Sequence, residues 1–84
     1  MSELALLVAE TIVEDWRTEG PFRDPVALTH YLLGSYAPGS GLVSDSRRVA
    51  DDVLEMLEDG ADAARVAAHI ERSMSIVRDR ARSA

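Results

Sequence analysis

The sequence predicts an all-α fold, a single small bundle of four helices spanning residues 1–84. Three observations carry this expectation. Apolar residues recur at steps of three and four through most of the chain, which lines them along one side of a helix. Helix-starting and helix-stopping residues bracket four such stretches, at about 2–18, 25–36, 45–59 and 62–82. No segment reads as a convincing strand. A chain this short makes one domain the sensible count. It buries only about 60–65% of the surface that its unfolded form exposes, so dimerisation is an easy way to gain core.

The first helix opens at Ser2, a good capping residue, and is stopped by Gly20 and Pro21. Leu4, Ala5, Leu6, Val8, Ala9, Ile12, Val13 and Trp16 cover more than half of its circumference. Leu7 falls outside even that arc, beside Glu3, Glu10 and Glu14. A helix this apolar is central in its fold or partly covered by another chain. Leu4, Leu6 and Leu7 are therefore the candidate self-association residues.

Asp24 caps the second helix and Pro25 occupies its first position, where the missing N–H is not needed. Val26, Leu28, Leu32, Leu33 and Tyr36 form its expected apolar face, with Ala27, His30, Tyr31 and Gly34 opposite. Tyr31, lying off the stripe, is a candidate for partner contact, since exposed aromatics are favoured at interfaces. Residues 37–44 read as a loop whose Leu42 and Val43 tuck back onto the core.

The third helix is expected to start near Ser44 or Asp45 and to end at Gly60. Val49, Ala50, Val53, Leu54, Met56 and Leu57 face in, and arginines and acids face out. Asp62 caps the fourth helix, which carries two stripes. One is apolar: Ala63, Val66, Ala67, Ile70, Met74, Val77, Ala81. The other is basic around one isoleucine: Arg65, His69, Arg72, Ile76, Arg80. Packing into a core requires only the first, so the second is the candidate partner-binding surface.

Composition narrows the function. The net charge is −6, but residues 1–62 hold four arginines and thirteen acids, whereas residues 63–84 hold five arginines and two acids. The end of the chain is thus a basic patch on an acidic protein. There is no cysteine, which excludes disulfides, thiolate metal sites and thiol nucleophiles. All nine basic residues are arginine, and Lys, Asn and Gln are absent, a bias that fits a GC-rich bacterial or phage source. No apolar run is long enough to span a membrane and no basic flank marks a signal peptide, so the expected location is the cytoplasm.

Enzyme and cofactor chemistry is not expected. A phosphate-binding loop needs ordered glycines and a lysine, and Gly34, Gly39 and Gly41 offer neither. Ser40 lacks the strand–turn–helix frame of a nucleophile elbow. His30 and His69 stand on different helices, and no second histidine lies at helical spacing from either, so no metal site is expected.

The segment from Ala67 onward resembles the helix-turn-helix DNA-binding motif over about sixteen residues: Ala67, Ile70, Ser73 and Val77 fall at its spacing. The pattern differs at Glu71, where the motif has glycine, and at Arg72, where it has an apolar residue. The resemblance implies a turn near Glu71–Ser73 and a recognition helix carrying Met74, Ser75, Arg78 and Arg82 as DNA contacts. One unbroken helix accounts for the same residues through the face Val66, Ile70, Met74 and Val77. The leading expectation is a non-catalytic protein that binds another protein as adaptor, inhibitor or assembly factor. A DNA-binding regulator and an oligomeric structural component are the alternatives.

Overall fold

The computed structural model describes residues 2–83, and it is an all-α four-helix bundle. The helices are α1 (Glu3–Arg17), α2 (Pro25–Tyr36), α3 (Val43–Glu58) and α4 (Ala63–Ser83), with a short 3-10 turn, Pro21–Arg23, between α1 and α2. α4 is the spine. Its 21 residues rise about 31 Å, close to the 36 Å long dimension of the molecule. It packs against all three other helices, while α2 lies mainly on α3.

The capping expected of three helices is formed. Ser2 Oγ accepts from Ala5 N–H at 3.2 Å, Asp24 Oδ1 from Val26 N–H at 3.3 Å, and Asp62 Oδ1 from Arg65 N–H at 2.9 Å. Each satisfies a donor that the helix itself leaves open. α3 departs from expectation by starting at Val43, with Leu42 as a cap that has no side-chain hydrogen bond. Half-buried Leu42 packs against the core and Val43 N–H bonds to Gly41 O, so the helical turn begins before Ser44 can cap it. Val43 itself does not tuck in; it stays 42% exposed.

Two helix ends close alike, with different residues. At the end of α3, Ala61 N–H reaches Met56 O and Gly60 N–H reaches Leu57 O, while Gly60 takes a left-handed φ of 85°. α1 ends with the same pair of bonds, Gly20 to Asp15 and Glu19 to Trp16, but here the left-handed residue is Glu19, at φ 57°. Gly20 serves by close approach instead: any Cβ there would collide with the Asp15 carboxylate. That carboxylate accepts from Phe22 N–H at 2.8 Å and anchors the 3-10 turn.

The core is aliphatic and fine-grained. Val8, Ile12, Leu28, Leu32, Val53, Val66, Ile70 and Met74 are its largest fully buried apolar side chains, filled in by Ala5, Ala9, Ala50 and Ala67. Trp16, on the apolar arc of α1, is only half-buried, with the Arg23 guanidinium 4.2 Å from its ring centroid. Val26, expected to face in, is 52% exposed, and its neighbour Thr29 takes the inward place. Thr29 is buried because its hydroxyl donates to Pro25 O at 2.6 Å, which removes the cost of taking it from water.

α4 runs antiparallel to both flanking helices. Towards α1, Ser2 N–H donates to Glu71 Oε1 at 2.8 Å, and at the other end Ala63 shares a surface cleft with Val13 and Arg17. The Ser2 N–H holds the Glu71 carboxyl below the usual carboxylate range. Towards α3, Asp52 meets the His69 ring at 3.3 Å and an ion pair joins Asp45 to Arg80.

Candidate partner-binding surface

α4 is unbroken through Glu71, Arg72 and Ser73. The turn implied by the helix-turn-helix resemblance is therefore not formed, because nothing in this stretch interrupts the helix and Ile70, Met74 and Val77 keep one face in the core. Met74, implied as a DNA contact, has no exposed surface. Ser75 and Arg78 are half-buried, and Arg82 is exposed.

The basic stripe occupies the flank of α4 that borders α3. The fold divides it in two. His69 Nε2 lies 3.3 Å from Asp52 Oδ2, an ion pair whenever the imidazole is protonated, and Arg80 donates to Asp45 Oδ2 at 3.0 Å. These two members are turned toward α3 and help set its register against α4. Surface pairs of this kind contribute at most about 1 kcal/mol each. Arg65, Arg72 and Ile76 lie further round the helix and remain exposed. Ile76, at 55% exposure, has Arg72 one turn before it and Arg80 one turn after. Arg72 Nη2 approaches His69 Nδ1 at 3.5 Å, the edge of hydrogen-bonding distance, and neither Arg65 nor Arg72 enters an ion pair among the described residues.

The other candidate residues are more scattered. Tyr31 is half-buried, and its ring is stacked on Phe22 with centroids 4.5 Å apart and planes at 21°, so one face is already taken by the 3-10 turn. Leu4, Leu6 and Leu7 are all exposed as expected, but they do not form one patch. The helical period places Leu4 and Leu7 on one flank of α1 and sends Leu6 round toward Val13, with Glu3, Glu10 and Glu14 between them.

Sequence reasoning missed a second feature. Val26, Thr29 and His30 of α2 and Val43, Ser44 and Arg47 of α3 line an open groove of about 300 Å³. It forms because α3 starts early and Val26 faces out, and neither departure has a signal in the apolar period. Three buried polar atoms also lack a hydrogen-bond partner among the described residues: Tyr36 OH, Ser46 Oγ and Arg78 Nε. Burial, followed by the nearby Glu71 carboxylate, pushes the Tyr36 phenol above its ordinary value.

No described helix is long and apolar enough to cross a membrane. No family model, curated protein or solved structure among those compared matches this chain.

Proposed function

We propose that this protein is a non-catalytic binding module that docks an acidic segment of another protein on the outer flank of α4. The observation that carries the reading is what remains of the basic stripe after α3 has taken its share. Exposed Ile76 stands beside Arg65 and Arg72, which enter no ion pair among the described residues, on a protein of net charge −6. An apolar centre bordered by arginine is the usual composition of an interface hot spot. The unbroken α4 lacks the turn that would present a DNA recognition helix.

A photo-crosslinking residue placed at Ile76 tests this in cells. The expected result is one dominant protein adduct, absent when Arg65 and Arg72 are changed to alanine and absent when the crosslinker sits at exposed Ala64 on the opposite flank. Equal labelling from both positions, or no adduct at all, overturns the reading. Fluorescence anisotropy with a DNA duplex covers the alternative. Salt-sensitive binding lost in Arg65→Ala/Arg72→Ala would replace the protein partner by nucleic acid.

A further inference from the structure

The groove between α2 and α3 is a second docking site, distinct from the α4 flank, and we infer that its occupant is a second copy of this chain, inserted through Leu7 of α1. The socket is described first. Its apolar floor is Val26 and Val43, at 52% and 42% exposure among the most water-exposed aliphatic side chains of the protein. His30 and Arg47 stand beside them, with the hydroxyls of Thr29 and Ser44. Thr29 is satisfied internally by Pro25 O. Among the described residues Arg47 is paired through Nε alone, toward Asp51 at 3.0 Å, which leaves its two terminal amino groups to meet a carboxylate. The acids nearest in sequence are engaged elsewhere: Asp24 caps α2, Asp45 pairs with Arg80 and Asp51 with Arg47. The groove is open and about 300 Å³ in volume. The site therefore suits an aliphatic side chain flanked by carboxylates.

The chain carries such a feature on another helix. Leu7 is the most exposed of its large apolar residues, at 63%. Glu3, Glu10 and Glu14 are exposed one turn before, one turn after and two turns after it, on the same side of α1. Leu4 lies one turn away on the same flank. The knob is thus an acid-ringed leucine and the socket a cation-flanked pair of valines, and each leaves in water an apolar group the other would cover. No copy docks its own knob, because Leu7 faces solvent on α1 while the groove belongs wholly to α2 and α3. The contact is heterologous, knob to socket, so it propagates head to tail or closes into a ring. One helix flank in one groove falls below the size of a standard interface, which places the association in the weak, concentration-dependent class.

Heterologous docking has a consequence that symmetric docking lacks, and this sets the test. Sedimentation velocity is run on the wild-type chain up to about 1 mM, the range suited to a small interface. Leu7→Ser removes the knob and keeps the socket; Arg47→Glu removes the socket's cation and keeps the knob. Both changes are on the surface, and circular dichroism checks that each variant is folded. The expected result is association of the wild type, weakened about tenfold or more in each variant alone. Mixing the two variants should restore a one-to-one dimer that grows no further, since one good knob and one good socket survive between them. A wild type that stays monomeric at the highest concentration overturns the inference. So does association that survives both substitutions, or a mixture that fails to pair, which would mark a symmetric α1–α1 contact instead. Arg65→Ala/Arg72→Ala, run in parallel, should associate as the wild type does, which separates this site from the α4 flank.

Discussion

Replacing Tyr36 by phenylalanine is expected to leave the fold intact and to raise its stability. The ring is 6% exposed at the end of α2, and its hydroxyl is buried with no hydrogen-bond partner among the described residues. An unsatisfied buried hydroxyl costs about 1–3 kcal/mol. Phenylalanine keeps the ring and its packing and removes that cost. Taking the low end of that range, the expected gain is about 1 kcal/mol. In a domain of this size that raises Tm by about 4–8 °C. A second arm uses pH. Burial and the Glu71 carboxylate raise the folded-state pKa above the ordinary 10.0, so the folded chain holds the phenolic proton more tightly than the unfolded chain does. The associated stability is fully present below pH 10 and is lost as pH rises from there through the folded pKa. The phenylalanine variant lacks this loss, so its advantage over the wild type should widen above about pH 10. Urea denaturation followed by circular dichroism at neutral pH, and then along an alkaline series, measures both arms. A variant less stable than the wild type by more than about 1 kcal/mol at neutral pH refutes the reasoning. It would mean that the hydroxyl is hydrogen-bonded in solution, through water or to the Arg78 guanidinium.

Four further outcomes follow from two glycines, the end of α1 and the α1–α4 tether. Gly34→Ala should stabilise by about 0.8–1 kcal/mol, since exposed Gly34 lies inside α2 with nothing near its absent Cβ; Gly60→Ala should destabilise by about 1–2 kcal/mol, because its φ of 85° strains any L side chain. Thermal melts of the two variants should shift in opposite directions. Glu19→Gly should stabilise by up to about 1 kcal/mol in the same assay, as it places glycine at the left-handed end of α1. Glu71→Gln should flatten the acid limb of a stability–pH curve: Ser2 N–H lowers the folded pKa below the ordinary 4.5, so the wild-type contribution is present above that value and is lost as pH falls through the folded pKa. An unchanged acid limb would show that the tether does not form.

The fold was legible wherever one physical signal dominated. Ser2, Asp24 and Asp62 marked helix starts because each side chain can satisfy an otherwise open N–H, and Ile12, Val53, Ile70 and Met74 marked the core by their spacing. Places where two signals competed were misread. Val26 is apolar and sits at an acceptable spacing, yet it stays in water, while Thr29 enters the core through a bond to its own helix. Helix spacing also could not foresee that two of the five stripe residues on α4 would be paired to α3, because that depends on the register between helices 17 or more residues apart in sequence, as with Asp52 and His69. The α2–α3 groove depends wholly on tertiary placement and left no trace in the period.

Trp16 gives this protein an unusual optical reporter. It is the single tryptophan of the chain, and it stands at the junction of α1 and the 3-10 turn rather than in the core. Its ring lies under the Arg23 guanidinium, and its carbonyl accepts from Arg23 Nε at 3.1 Å and Nη2 at 2.6 Å. Its emission therefore follows one clasp between neighbouring helices, whereas circular dichroism averages over all four. If the clasp opens before the bundle melts, the two signals will not coincide, and an apparent intermediate will be the local release of one arginine from one indole.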